Sequence, residues 1–155
     1  MESPGSDVQR ADGARVLIVA ARYYPAIVDA LIEAAARTIK SAGAASTTIE
    51  AAGALEIPGA IALVHRRAPF DAYIALGCVI RGETSHYETV CNESARAIMD
   101  LTVQGLSIGN GILTVENEAQ ALARAERGGR NKGREAALAA LSMLALNRRL
   151  AQGEL

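Results

Sequence analysis

The order of apolar segments predicts a three-layer α/β domain, with a doubly wound sheet of four parallel strands and helices on both faces. Three observations support this. Short apolar runs alternate with longer segments whose apolar residues recur at helical spacing. The strand-like runs are apolar throughout rather than alternating, as in strands covered on both faces. The element order is β-α-β-α-β-α-β-α-α, and parallel neighbours require the crossover connections that such an alternation supplies.

Residues 1–13 are polar and Gly-rich and read as a flexible tail before a single domain spanning 14–150, with 151–155 a short C-terminal tail. Arg15–Ala21 is a continuous β-branched run and forms the first strand. Pro25 suits the first turn of the helix that follows. Ile27, Val28, Leu31, Ile32, Ala35 and Ile39 give that helix one apolar stripe, and Lys40 and Gly43 fit its C-terminal end. Ser46–Ala52 is a weaker strand, and Leu55–Arg67 a short helix with Pro58 in its opening turn. Ala72–Val79 is a third strand, apolar throughout. Ser85–Gln104 is helical, with Tyr87, Cys91, Ser94, Ile98 and Leu101 along one face and Gly105 at its end. Leu106–Val115 is a fourth strand interrupted by Gly109 and Gly111. Asn117–Arg127 and Lys132–Leu150 are helices separated by Gly128-Gly129. Right-handed crossovers leave few strand orders for this sequence of elements, the flavodoxin-like order 2-1-3-4 among them. Ligands of such sheets bind beyond the carboxyl ends of the strands where the winding reverses, here between strands 1 and 3. The segments to inspect are therefore Arg22–Pro25 and Ile80–His86.

Composition excludes several classes. At 155 residues, half of them hydrophobic and 21% charged, the chain has the make-up of one globular domain. Sixteen basic residues are offset by seventeen acidic ones, so no long-range field draws nucleic acid. No Trp, one Phe and four Tyr make no stacking platform for single strands. Ala72–Ile80 and Ala136–Leu146 fall short of the roughly 18 residues that cross a bilayer. Met1–Gly5 lacks the basic and apolar regions of a signal peptide, so a cytoplasmic address is expected. Cys78 and Cys91 make neither a disulfide framework nor a metal knuckle, and no metal is expected. Alanine fills roughly a fifth of the chain, and a core so light in aromatics gains from burial between subunits, which points to a homo-oligomer.

Functional groups gather at the inspected segments. Arg81–His86 turns directly into a helix, whose free N–H groups and dipole suit a phosphate, with Thr84 and Ser85 as added donors or plain N-caps. An unperturbed imidazole titrates near 6.5, so His86 can take and give a proton near neutrality, or simply hydrogen-bond backbone at a helix start. His65, beside Arg66 and Arg67 at a helix end, reads as a solvated surface residue. A planar ligand would stack on Tyr23 or Tyr24, which could equally cover the sheet end. Glu56, opening a helix, is either a dipole partner or an acceptor for a polyhydroxylated ligand. Arg124 and Lys132 are exposed helix charges or anion ligands.

Several segments occur together in order: Arg22-Tyr23, Gly53–Pro58 (GALEIP), Gly77–Tyr87 (GCVIRGETSHY), Val90–Glu93, Gly111–Asn117 and Asn131–Gly133. They closely resemble the 6,7-dimethyl-8-ribityllumazine synthase family over roughly residues 14–149. The resemblance implies condensation of 5-amino-6-(D-ribitylamino)uracil with 3,4-dihydroxy-2-butanone 4-phosphate in riboflavin biosynthesis, without metal or organic cofactor. It implies that Tyr23 stacks on the pyrimidine, that Ala54, Leu55 and Glu56 border the ribityl chain, and that Cys78, Val79 and Ile80 meet the uracil edge. Glu83 and Thr84 would hold the phosphate through backbone amides, with Arg124 reaching it from an adjacent subunit. His86 would transfer protons, with Lys132 a nearby cation. The family assembles as pentamers, some building icosahedral shells, with sites between subunits. Two positions depart from its pattern: Asn110 stands where many relatives carry an aromatic, and Tyr23 replaces the commoner Phe.

Overall fold

Two strands carry the centre of the sheet. In the computed structural model, which describes residues 8–127 and 130–154, they are β1 (Arg15–Ala20) and β3 (Ala72–Ile80). Val16–Ala20 and Ala72–Leu76 are each at most 1% exposed, so the continuous apolar runs reflect cover on both faces. The remaining elements are α1 (Pro25–Ser41), β2 (Ala45–Glu50), a 3-10 turn (Ala54–Glu56) leading into α2 (Ile57–Arg67), α3 (His86–Val103), β4 (Ile108–Val115), α4 (Glu118–Ala125) and α5 (Lys132–Ala151). All ladders are parallel and the order is β2-β1-β3-β4, the flavodoxin-like arrangement expected from the sequence. Element ends differ from the sequence reading by a residue or two, as helix and strand ends commonly do. β2 lies at an edge and its residues are largely exposed, which explains its weak apolar signal.

Alternate residues of the central strands face opposite layers. Val16, Ile18, Ile74 and Leu76 pack with Leu31 and Ile39 of α1, Ala121 of α4 and Leu141 of α5. Leu17, Val19, Tyr73 and Ala75 pack with Ile57 and Ile61 of α2 and Ile98 of α3. The alanines of α5 bring that helix close to the sheet: Ala136, Ala137 and Ala140 are 3% exposed or less. Gly109 is what the approach requires, because a Cβ there would lie 1.8 Å from the Ala136 carbonyl oxygen. Gly43 (φ 83°) and Gly105 (φ 101°) turn the chain out of α1 and α3 in the left-handed region, where a Cβ is costly.

Two expectations change. Residues 8–13, assigned to a flexible tail, pack on the domain: Ala11 is 1% exposed and its N–H donates to the Ala42 carbonyl at 2.8 Å. A short apolar side chain among polar neighbours hides such a contact from a composition reading. Residues 1–7 and the Gly128-Gly129 break lie outside the described residues. On α3 the buried residues are Val90, Ser94 and Ile98, while Tyr87, Cys91 and Leu101 are only half-buried, so the stripe is rotated. His65 is exposed at the surface, as expected, and its Nδ1 also lies 3.0 Å from the hydroxyl of the buried Tyr73. Among the described residues, no helix is long and apolar enough to cross a membrane.

Candidate active site

After β1 the chain crosses to the α1 face, and after β3 to the α3 face. The crevice left between these departures holds a cavity of about 440 Å³. Tyr23 and Tyr24 enter it from the β1 loop, Gly53–Glu56 from the 3-10 turn after β2, and Cys78–Ile80 from the end of β3. His86 and Val90, one helical turn apart on α3, complete the opposite wall. A roomier groove, about 500 Å³, lies between α1 and the segment before α5. Among the described residues its lining includes Arg37, Arg127 and Arg134 and no histidine or carboxylate for proton transfer.

Eight of the residues singled out from the sequence therefore share one cavity: Tyr23, Ala54, Leu55, Glu56, Cys78, Val79, Ile80 and His86. Tyr23 is 78% exposed, its ring edge-on to Tyr24 with centroids 5.0 Å apart, so one ring face is free for a ligand. Tyr24 is half-buried, and burial raises its phenol above the ordinary range. Cys78 is 6% exposed on the floor. Burial pushes its thiol up to about 11, so it meets a ligand as a neutral group. The Glu56 carboxylate folds back over Gly53, where a Cβ would come within 2.9 Å of Oε2. A side chain at 53 would displace that carboxylate.

The turn before α3 carries Glu83 and Thr84, both exposed beside the cavity rather than lining it. Thr84 Oγ1 accepts a long hydrogen bond, 3.3 Å, from the His86 N–H. Ser85 occupies the N-cap position without making a side-chain cap. This turn lies at the positive end of the α3 dipole, a setting that favours an anion.

Three predicted residues do not reach this cavity within one chain. Asn110 lies on β4 opposite Ala75, with Oδ1 accepting from the Ile112 N–H at 3.0 Å. Arg124 lies on α4 and donates to the Gln120 carbonyl at 3.0 Å. Lys132 opens α5 and pairs with Glu135 at 2.9 Å. Of the other lining residues, Tyr24 is the sequence reading's alternative to Tyr23, whereas Ala21, Gly53 and Val90 are absent from its site residues. Val90 is four residues after His86, so helical spacing from the histidine would have found it.

An arginine steadies each loop. Arg22 forms a forked pair with Asp29, Nε and Nη2 donating to the two carboxylate oxygens at 2.7 and 2.8 Å. The pair holds the Asp29 carboxyl below its usual range. Arg81 donates through Nε to Glu116 at 2.7 Å and through Nη1 to Glu88, and its guanidinium lies 4.4 Å from the centre of the Tyr87 ring. Glu88 is likewise held below its usual range by Arg81.

Comparison with known proteins agrees with the resemblance drawn from the motifs. The family profile described as 6,7-dimethyl-8-ribityllumazine synthase matches residues 13–148. A protein of that name from Nitrobacter winogradskyi is 53% identical over 97% of this chain and 96% of its own length. Its counterpart from Sphingopyxis alaskensis is 56% identical over 90% of this chain and 99% of its own. The Methylobacterium radiotolerans protein is 58% identical over 88% of this chain and 84% of its own. With a switch-point cavity, the motif residues around it and these matches in agreement, the chain belongs to the 6,7-dimethyl-8-ribityllumazine synthase family and is an enzyme, a transferase of riboflavin biosynthesis.

Proposed function

We propose that the enzyme condenses 5-amino-6-(D-ribitylamino)uracil with 3,4-dihydroxy-2-butanone 4-phosphate, giving 6,7-dimethyl-8-ribityllumazine, phosphate and water. The observation that carries this reading is the meeting of Tyr23, Glu56 and His86, from three separate crossover loops, around one cavity. A flat ring, an acceptor for hydroxyls and a proton carrier match the three parts of the chemistry. The pyrimidine lies on Tyr23 with its edge against Cys78–Ile80, and the ribityl chain runs along Ala54 and Leu55 to the Glu56 carboxylate. The phosphate sits on the backbone amides of Glu83 and Thr84.

The aromatic amine attacks the ketone carbon, the adduct loses water to an imine, phosphate leaves, and the ribitylamino nitrogen closes the ring on the remaining carbonyl with loss of a second water. Each stage moves a proton, and His86 beside the reacting atoms can carry it in either direction. The helix N-terminus orients the phosphate and stabilises the charge it takes away. Holding both substrates in register supplies much of the remaining acceleration. No metal or organic cofactor is required by these steps.

The assembly in this reading is a cytoplasmic homo-oligomer built on pentamers, with each site shared between neighbours. The positions of Arg124, Lys132 and Asn110, outside the cavity of their own chain, support it. From a neighbour, Arg124 would reach the phosphate and Lys132 would add positive charge, while Asn110 would offer an amide where many relatives place a ring. The open edge of β2 and the exposed apolar side chains Leu63, Met99 and Val103 are surfaces that a neighbour would cover. Incubating the purified protein with both substrates tests the reaction. Lumazine fluorescence should rise with equimolar phosphate release, whereas folded protein that yields neither would refute the proposal.

A further inference from the structure

We infer that Arg81 is a positioning residue for the phosphate-bearing substrate, acting through the turn that precedes α3. The inference rests on the reaction proposed above and adds a residue to it that makes no contact with substrate.

Arg81 stands where three elements meet. Its own N–H continues the sheet, donating to the Val115 carbonyl at 2.9 Å. Its Nε then reaches Glu116, at the end of β4, at 2.7 Å. Nη1 reaches Glu88 in the first turn of α3, and the guanidinium carbon lies over the Tyr87 ring, 4.4 Å from its centre. Tyr87 and Glu88 directly follow His86. One planar group therefore fixes the first turn of α3 against the ends of two strands. Gly82–His86, the stretch that presents the phosphate amides and the imidazole, is exposed throughout and is held locally by two long hydrogen bonds, Thr84 Oγ1 accepting from the His86 N–H and the Ser85 carbonyl accepting from the Thr89 N–H, each at 3.3 Å. Its placement is inherited from the clamp at either end.

The chemistry of the clamp calls for arginine. Two carboxylates on different elements and an aromatic face need a fork with a flat side, whereas an ammonium is a point charge that can satisfy one partner at a time. All three charged groups are about half exposed, and ion pairs in that setting contribute little to stability. The functional effect of Arg81 should accordingly exceed its effect on folding.

The test uses the full chain with both substrates and the conservative variant Arg81→Lys, which keeps the charge and loses the fork. A small misplacement of anchoring groups is costly, so KM for the phosphate-bearing substrate should rise about tenfold. KM for the pyrimidine should stay within about twofold and the melting temperature should barely move, because the pyrimidine wall is untouched. Arg81→Lys that matches the unaltered enzyme, or that raises both KM values equally, would overturn the inference. Glu116→Gln gives an independent reading. A positioning role predicts a rise in KM for the phosphate-bearing substrate, whereas Arg81 acting only by offsetting nearby negative charge predicts a fall, and a fall or no change would count against the inference. Absence of lumazine from the unaltered enzyme would instead refute the reaction itself.

Discussion

The loops after β1 and β3 frame the same cavity and are built alike, yet they suit different tasks. Each begins with an arginine that reaches a carboxylate seven residues further on, Arg22 to Asp29 and Arg81 to Glu88. Arg22 spends both arms of its fork on one carboxylate of its own helix, so it stiffens only the entry to α1. Arg81 divides its fork between α3 and the end of β4, tying the turn to the sheet. The β1 loop ends in an exposed aromatic ring. The β3 loop ends in a helix start and an imidazole. In the proposed reaction, similar local construction thus gives a holding wall and a reacting wall, and the difference lies in what each arginine is tied to.

The contrast separates KM from kcat. Replacing His86 with Ala should lower kcat about a hundredfold, the usual scale for a lost general acid–base, and leave residual turnover from orientation alone. Replacing Tyr23 with Ala should act mainly on KM for the pyrimidine, by about five- to tenfold for a lost stacking face. Steady-state kinetics on the two variants checks both, and equal losses of kcat in both would break the division between the loops.

A smaller effect belongs to the floor between the walls. The Cys78 thiol is raised from 9.0 to about 11 by burial. In the unfolded chain that thiol ionises first, so between these values the native state holds the extra proton. The contribution is intact below pH 9 and is lost as pH climbs toward 11. Urea midpoints should fall over that interval, and the decline should be shallower in Cys78→Ala, whereas parallel declines would assign the effect to other groups.

Much of this arrangement is legible in the sequence because the features that specify it are local. The apolar runs of β1 and β3 and the stripe Ile27–Ile39 follow from burial alone, and the switch-point rule then selects two loops before any motif is named. What stays hidden is non-local. Ala11 packs against Ala42 through a contact that no periodicity reports. His65 finds the Tyr73 hydroxyl because a helix and a strand happen to lie side by side. The Arg81–Glu116 pair spans 35 residues and joins elements whose adjacency only the sheet order reveals. Asn110, Arg124 and Lys132 were drawn to the site by family likeness, and a single chain leaves them outside its own cavity.

The most direct measurement is a crystal structure of the protein with an unreactive analogue of the ribitylaminopyrimidine. The heterocycle should rest on Tyr23, the polyol should end at the Glu56 carboxylate, and His86 should stand beside the amine that would attack. An analogue seated in the arginine-lined groove, or an imidazole turned away from a correctly bound ring, would contradict the shared site from which everything else follows.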